Sequence, residues 1–309
     1  PSVVALLFPG QGSQFVGMGR DLVAASEVAR RTFEEADDVL AAPLSRLCFE
    51  GPEDELTATR NAQPAILVHS IAVYRTVEER LGSVACAAGH SLGEFSAYVA
   101  AGSIHFGDGV RTVRRRGELM QKSGDERPGT MAAVLGLDDA AVEKACRDAA
   151  AEGGECVPAN YNAPGQVVIS GDVPTVARAM ELAKDAGARR AVPLNVSGAF
   201  HSPLMRVAES GLAAQLGTVA IAPPLFPIIS NVTAKPVADP VDARRLLVRQ
   251  LISPVRWADS MRTMIARDDV DAFLELGPGN VLAGLLRRIA RNAQVRSVGG
   301  ADEVAAVAG

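Results

Sequence analysis

The chain has 309 residues and a formal net charge of -5 at pH 7. This length allows one large hydrophobic core, or such a core with a smaller second unit. A negative net charge gives no overall attraction to nucleic acid or to an anionic membrane, so we expect neither as a partner. The longest apolar runs are far shorter than the roughly twenty residues of a membrane helix. With no signal peptide before Pro1, we expect a free-standing cytoplasmic globular protein.

The cysteines lie far apart in the sequence, at positions Cys48, Cys86, Cys146 and Cys156. They have neither the close paired spacing of a zinc site nor the density of a disulfide scaffold. We therefore expect reduced thiols and no metal site.

The first predicted element is a buried strand at Val3–Phe8, a short apolar run. It leads into a tight loop with the sequence PGQGSQ at residues 9–14, after which a helix should follow. Helical spacing of apolar residues predicts another helix over residues 64–80, with Pro64 in its first turn and Gly82 at its end.

A strand, a sharp turn and a helix are predicted next. Residues 84–88 are small and apolar, residues 89–93 have the sequence GHSLG, and residues 94–101 have a helical composition that Gly102 ends. Asp108 is placed to cap a further helix that runs to about residue 121.

Residues 131–194 follow the order βαββαβ, the split pattern of a ferredoxin-like unit. The predicted strands are 131–137, 156–162, 166–170 and 190–194, and the predicted helices are 139–151 and, capped by Asp172, 174–186. We expect residues 128–196 to be a subdomain inserted into a larger domain formed by residues 1–127 and 197–309.

The larger pattern resumes with strands at 225–230 and 272–276 and a helix that begins at Val281. Strands that alternate with helices favour a mainly parallel sheet, and the predicted fold class is α/β.

The sequence GHSLG fits the G-x-S-x-G nucleophile elbow, in which a strained strand-to-helix turn exposes the serine hydroxyl. Ser91 would also lie at a helix N-terminus, where unpaired backbone N–H groups favour developing negative charge. The competing interpretation is a glycine-rich turn with an incidental serine.

A serine nucleophile needs a base, and four histidines compete for that role. The side chain of His90 should diverge from that of Ser91 on so sharp a turn, His69 lies on an apolar helical face, and His105 should lie at the surface. His201 follows a predicted strand end, where α/β enzymes place catalytic groups. A loop histidine without a chemical role remains the alternative.

Helical geometry places the three arginines of residues 114–116 on different faces of their helix. At about 100° per residue, Arg116 falls at the edge of the apolar stripe of its helix, whereas Arg115 points to the opposite side. An inward guanidinium suggests a planar partner such as a carboxylate. A buried structural ion pair is the competing explanation.

The loop at residues 9–14 contains G-x-G but lacks the third glycine of a dinucleotide fingerprint and the Gly-Lys-Ser/Thr of a phosphate loop. Its N–H groups could instead complete an oxyanion hole with that of Leu92. A nucleotide-binding or regulatory protein that uses this loop is the alternative outside the enzymes, and it predicts no covalent adduct.

Five segments together resemble the malonyl-CoA:acyl carrier protein transacylases and the related polyketide acyltransferase domains. They are PGQGSQ at 9–14, GHSLG at 89–93, RRRG at 114–117, GAFH at 198–201 and GPG at 277–279. The resemblance covers essentially the whole chain. It implies an α/β-hydrolase-like domain with a ferredoxin-like insertion and an active site between the two.

The resemblance also implies the roles of individual residues. Ser91 would be the nucleophile, His201 its general base and later general acid, and Arg116 the group that holds the malonyl carboxylate. Backbone N–H groups of Gln11 and Leu92 would stabilise the oxyanion, and the backbone carbonyl of Gln250 would orient the histidine. No metal or redox cofactor is implied.

The implied reaction is a ping-pong transfer of malonyl from malonyl-CoA to the phosphopantetheine thiol of a holo acyl carrier protein. Phe200 matches the form of the specificity motif in which bulk disfavours a methyl branch, a preference worth only about 1 to 3 kcal/mol. We place His90 with the substrate-binding residues, and we expect a monomer. A serine thioesterase or esterase, which would use the same elbow but transfer the acyl group to water, is the alternative within the enzymes.

Two further groups of residues are candidates. Asn160 and Asn162, on the hairpin of the inserted unit, either line the cleft or have an ordinary turn-capping role. A local basic patch on the helix after Gly279 is predicted to meet an acidic carrier protein, and it consists of Arg287, Arg288 and Arg291.

Overall fold

The computed structural model describes residues 2–307, which form two β-sheets with helices packed around them. The strands are β1 (Val3–Phe8), β2 (Ser83–Gly89), β3 (Thr130–Leu135), β4 (Cys156–Ala163), β5 (Gln166–Gly171), β6 (Arg190–Pro193), β7 (Ile228–Ile229), β8 (Pro236–Val237), β9 (Ala272–Leu276) and β10 (Val295–Val298). The α-helices are α1 (Arg20–Ala25), α2 (Glu27–Leu40), α3 (Leu44–Glu50), α4 (Glu53–Thr57), α5 (Thr59–Val77), α6 (Leu92–Ala100), α7 (Phe106–Glu126), α8 (Asp139–Ala151), α9 (Val173–Asp185), α10 (Arg206–Gly217), α11 (Pro240–Arg249), α12 (Trp257–Ile265), α13 (Val281–Ile289) and α14 (Ala301–Ala305). Short 3₁₀ turns lie at Glu78–Arg80, Pro203–Met205 and Gln250–Ile252.

The first sheet has the strand order β10-β9-β1-β2-β7-β8. All neighbouring pairs are parallel except β7 with β8, which confirms the predicted mainly parallel sheet. Because the carboxyl ends of parallel strands meet at one edge, the loops after β1, β2, β7 and β9 converge there. That edge is where the candidate site lies.

The parallel sheet is buried on both faces, as its β1 strand shows. Leu6 and Phe8 belong to the larger hydrophobic cluster on one face, whereas Ala5 and Leu7 belong to the cluster on the other. Burial on both faces is the reason that β1 is a continuous apolar run and not an alternating one.

The second sheet has the strand order β4-β5-β3-β6, and all of its neighbouring strands are antiparallel. With α8 and α9 it follows the predicted order βαββαβ. Both helices begin at aspartates whose side chains accept N–H bonds from the first turn, Asp138 from Ala141 and Asp172 from Thr175. This unit has its own apolar cluster between the sheet and the two helices.

The two sheets are joined through β4 and the chain segment before α12. The Tyr161 N–H donates to the Val255 carbonyl at 2.9 Å, and the Val255 N–H donates to the Ala159 carbonyl at 2.7 Å. These bonds fix the edge of the second sheet above the carboxyl edge of the first.

The helix predicted over residues 64–80 begins five residues earlier, so Pro64 lies inside it and not in its first turn. A proline at this position cannot donate to the carbonyl of Arg60, four residues before it. The guanidinium of Arg114 donates to that carbonyl at 2.8 Å instead. A tertiary contact therefore compensates for the bond that the proline removes.

Two other predicted elements are corrected. The strand expected over residues 225–230 shrinks to β7, because Pro227 has no N–H to donate to a neighbouring strand and Leu225 is exposed. The helix expected to begin at Asp108 begins at Phe106, with His105 at its N-cap. Asp108 lies in the first turn, where its carboxylate accepts from Arg111 at 3.2 Å.

Within residues 2–307, none of the helices combines the length and the apolar character that crossing a bilayer requires.

Candidate active site

Ser91 occupies the sharp turn between β2 and α6, at the carboxyl edge of the parallel sheet. Its backbone has φ 51° and ψ -107°, a conformation that is strained for a residue with a side chain. A Cβ on Gly89 would lie 1.9 Å from the Gly93 backbone, and a Cβ on Gly93 would lie 2.1 Å from the Phe8 carbonyl oxygen. Both glycines of the GHSLG sequence are therefore required by close backbone contacts.

His201 lies against the serine. The Ser91 Oγ and the His201 Nε2 are 2.7 Å apart, and the His201 Nδ1 is 2.9 Å from the backbone carbonyl of Gln250. Because a carbonyl only accepts, Nδ1 carries the proton and Nε2 has its lone pair directed at the serine hydroxyl. The pair has the geometry of a hydroxyl and its general base.

Burial holds the imidazole in its neutral form. His201 is almost completely buried, and burial, together with the positive charge of Arg116, lowers its pKa from the usual 6.5 to about 3. At neutral pH the ring is therefore able to accept a proton from Ser91.

Arg116 lies inside the protein, whereas Arg115 is exposed, as helical geometry predicts. Its Nη2 is 3.0 Å from the Ser91 Oγ and 2.8 Å from the Gln250 Oε1, and its Nη1 is 2.9 Å from the Gln63 Oε1. Burial lowers its pKa to about 10, so the guanidinium keeps its charge at neutral pH. Within residues 2–307 it forms no salt bridge with a carboxylate.

A cavity of about 390 Å³ opens onto Ser91 and His201 between the two sheets. Phe200 lines it beside the histidine, and Met131 and Val168 line it from the second sheet. The N-terminal loop contributes Gln11, while Leu92 is the first residue of α6, whose N–H has no acceptor within the helix. The cavity is large enough for a small acyl group and part of a flexible chain that carries it.

His90 points away from the serine hydroxyl and toward the second sheet. Its Nε2 is 2.8 Å from the Asn162 Oδ1, and its ring packs 5.3 Å from that of Trp257. Asn160 and Asn162 both line the cavity. The hydrogen bond between His90 and Asn162 thus connects the elbow to the sheet that covers it.

The other two histidines lie away from the serine. His69 is buried and its Nε2 is 2.8 Å from the Gly299 carbonyl oxygen, whereas His105 is exposed. Of the basic patch, Arg287 and Arg288 lie exposed in the last turn of α13, but Arg291 lies beyond the end of that helix and not on it.

Sequence reasoning missed several polar residues that contact the site. Gln63 and the side-chain amide of Gln250 hold Arg116, and the Asn231 Oδ1 accepts from the Ser91 N–H at 2.8 Å. Glu94 is completely buried in the first turn of α6, where its Oε1 accepts from Gln250. An acid in a first turn is typical of an exposed position, so no sequence signal distinguished Glu94.

A serine with its base, a buried arginine and a cavity at the carboxyl edge of a parallel sheet define an acyl-transfer enzyme. The family model described as "Acyl transferase domain" matches residues 5–306. The malonyl CoA-acyl carrier protein transacylase of Bacillus subtilis is 47% identical over 297 residues, covering 96% of this chain and 93% of the relative. That of Escherichia coli K12 is 46% identical over 286 residues, covering 92% of each.

Solved structures agree with these relatives. An acyl carrier protein S-malonyltransferase from Vibrio cholerae has a TM-score of 0.94 at 44% identity, covering 98% of this chain and 99% of that one. A malonyl-transacylase in complex with a type II PKS acyl-carrier protein has a TM-score of 0.95 at 42% identity, covering 99% of each chain. The chain therefore belongs to the acyl transferase family that includes the malonyl CoA-acyl carrier protein transacylases.

Proposed function

We propose that this protein transfers a malonyl group from malonyl-CoA to the phosphopantetheine thiol of an acyl carrier protein through an ester on Ser91. The observation that carries the proposal is that the Ser91 Oγ lies within hydrogen-bond distance of both His201 and Arg116. The first contact activates the oxygen, and the second places a cation where the distal carboxylate of a malonyl ester would lie.

In the first half-reaction, the Ser91 Oγ attacks the thioester carbonyl while its proton passes to the His201 Nε2. The negative charge on the carbonyl oxygen is stabilised by the backbone N–H groups of Gln11 and Leu92. When the tetrahedral intermediate collapses, the C–S bond breaks and the coenzyme A sulfur takes the proton from His201. The products are the malonyl ester and the free thiol of coenzyme A.

In the second half-reaction, the phosphopantetheine thiol gives its proton to His201 and its sulfur attacks the ester carbonyl. The ester C–O bond breaks, and the Ser91 Oγ recovers its proton from the imidazolium. The Gln250 carbonyl holds the imidazole in the same tautomer throughout, because it accepts the Nδ1 proton. A carboxylate is not needed for that orientation.

Arg116 supplies selectivity for an acyl group with a second charge. Its guanidinium is positioned by two neutral amide oxygens, so its positive charge is available to a substrate anion. Phe200, packed beside His201, restricts the space for a methyl branch, although one methyl group changes binding by only about 1 to 3 kcal/mol.

The test is incubation with malonyl-CoA followed by mass spectrometry of the Ser91 peptide. We expect a malonyl adduct on Ser91 in the wild type and none in Ser91→Ala, and release of the adduct when holo acyl carrier protein is added. An adduct that is lost to water at the same rate with and without carrier protein would favour the thioesterase or esterase alternative. Absence of any adduct would favour the nucleotide-binding alternative.

Arg116→Ala tests selectivity separately. We expect malonyl loading to fall at least a hundredfold, since a charged hydrogen-bonded pair is worth about 3 kcal/mol or more at a buried site. Loading from acetyl-CoA should be spared or improved. Equal losses for both acyl groups would contradict a role in holding the malonyl carboxylate.

We also propose the domain organisation expected above, an α/β-hydrolase-like domain of residues 1–127 and 197–309 with a ferredoxin-like subdomain of residues 128–196. The separate apolar cluster of the second unit and its antiparallel strand order support this division. The active site would lie where the two units meet. A monomeric and cytoplasmic enzyme remains our prediction.

The carrier protein would dock beside α13. Arg287 and Arg288 are exposed there, next to Leu282 and Leu285, which line the cavity. Reversing the charge with Arg288→Glu should raise the KM for carrier protein and leave exchange with coenzyme A unchanged. Arg31→Glu, at an exposed arginine on α2, is the matched control, and an unchanged KM in Arg288→Glu would reject the patch.

A further inference from the structure

Glu94 is a buried carboxylate that contacts the residues around the active serine without contacting the cavity. It lies in the first turn of α6, three residues after Ser91, and is 1% exposed. Its Oε1 accepts from the Asn231 N–H at 3.1 Å and from the Gln250 Nε2 at 3.1 Å. Both partners are completely buried as well.

The two partners of Glu94 hold the backbone of the nucleophile turn on both sides of the serine. The Asn231 side chain accepts from the Ser91 N–H at 2.8 Å and donates to the Gly89 carbonyl at 2.8 Å. The Gln250 Nε2 donates to the Ser91 carbonyl at 2.9 Å. Through these bonds, Glu94 supports the strained conformation of Ser91.

Glu94 and the Ser91 carbonyl together set which way the Gln250 amide faces. An ionised carboxylate only accepts hydrogen bonds, so the NH₂ end of the amide must face Glu94. The oxygen end then faces the opposite way, toward the Arg116 Nη2 at 2.8 Å. A proton or an amide group on Glu94 would weaken one of the two acceptors that hold this NH₂ end, and the opposite orientation, with NH₂ against the guanidinium, would become less unfavourable.

The charges around Glu94 agree with this arrangement. Burial raises the pKa of Glu94 to about 7, while the N–H donors of Asn231 and Gln250 and the charge of Arg116 on α7 act to lower it. Tyr98, one turn further along α6, has a raised pKa and stays neutral. His201 and His90 are held neutral by burial, which leaves Arg116 as the one charged group that acts on this carboxylate within residues 2–307.

We propose that Glu94 is a positioning residue for malonyl selectivity, whose ionised carboxylate helps the Ser91 carbonyl to orient the Gln250 amide so that its oxygen holds Arg116 against the acyl site. The proposal rests on the proposed function, because Arg116 is the residue through which Glu94 acts. It predicts that loss of the Glu94 charge affects malonyl loading more than acetyl loading. A purely structural role would lower both equally or neither.

The experiment measures the rates of Ser91 loading from malonyl-CoA and from acetyl-CoA, and takes their ratio as the readout. Glu94→Gln keeps the size and one acceptor oxygen but removes the charge, and we expect its malonyl-to-acetyl ratio to fall at least tenfold. Tyr98→Phe is the matched control on the same helix, because it removes a buried hydroxyl that has no partner within residues 2–307. Its ratio should be unchanged.

The pH dependence of the malonyl-to-acetyl ratio provides a second readout. As the pH falls from about 8 to about 6, Glu94 takes up a proton and the ratio should decrease, whereas in Glu94→Gln it should stay flat. A wild-type ratio that is constant over this range, or a variant ratio equal to that of the wild type, would overturn the proposal. Failure of the wild type to form any malonyl adduct would instead refute the proposed function.

Discussion

Replacing His201 by asparagine tests whether the imidazole that we propose as the base is held neutral by burial. His201 has φ 58°, in the left-handed region that asparagine tolerates better than most residues. The asparagine NH₂ can also replace Nδ1 as the donor to the Gln250 carbonyl, now 2.9 Å from the ring nitrogen. The variant therefore removes the titrating ring with little other change to the fold.

The expected effect follows from the difference in pKa between the folded and unfolded states. The pKa of His201 is about 3 in the folded protein and 6.5 when unperturbed. Above pH 6.5 the ring is neutral in both states and makes no pH-dependent contribution. Below it the unfolded state binds the proton and the folded state does not, so the free energy of unfolding falls as the pH falls. At about pH 5, the loss amounts to about 2 kcal/mol.

The assay is urea denaturation of both proteins at about pH 7.5 and about pH 5. On acidification, the wild type should lose about 2 kcal/mol more stability than His201→Asn. Contributions from Glu94 and His90 are present in both proteins and cancel in the difference to first order. Equal losses in the two proteins would refute the conclusion that His201 is a buried neutral base.

Three other outcomes are expected from the same structure. Gly89→Ala should destabilise the protein by about 3 kcal/mol or more, because the added Cβ meets the Gly93 backbone. Gly284→Ala should be neutral or slightly stabilising in urea denaturation, because within residues 2–307 the added Cβ meets nothing within 4 Å apart from the backbone of its own helix. Asn162→Ala should lower the free energy of unfolding measured in the same way by about 0.5 to 1.5 kcal/mol, because it removes the partly buried hydrogen bond between the Asn162 Oδ1 and the His90 Nε2. All four cysteines are buried, so a thiol reagent should label them only after denaturation, and rapid labelling of the native protein would contradict this.

The fold was predictable wherever the signals were local. The helix at Asp139–Ala151 and the strand at Ala272–Leu276 have the predicted bounds, because capping aspartates and short apolar runs between polar turns act within a few residues. The errors lie where a distant contact decides the structure. No local signal reveals that Arg114 satisfies the carbonyl freed by Pro64, and so allows the helix to begin at Thr59.

The sequence indicates the residues that we propose to react, but not the residues that support them. Ser91 and His201 stand in short segments with a recognisable order of residues, and helical geometry alone gave the direction of Arg116. Asn231, Glu94 and the Gln250 side chain have no such pattern, because their roles exist only where separate loops meet. Their contribution depends on how their amide and carboxylate groups are oriented in space, and the spacing of residues along the sequence does not determine that orientation.

The hydrogen-bond partners of Arg116 distinguish between the two explanations for its inward position, which are a substrate carboxylate and a structural ion pair. A buried guanidinium costs several kcal/mol of desolvation, and the nearby Glu94 carboxylate acts on it through its charge without binding it directly. Its NH₂ groups are instead bound by two neutral amides, those of Gln63 and Gln250, and its remaining contact is the Ser91 Oγ. A direct carboxylate partner would satisfy the charge and weaken its attraction for a substrate. Because amides orient the guanidinium without neutralising it, the arrangement favours an acyl group that brings its own negative charge to Ser91.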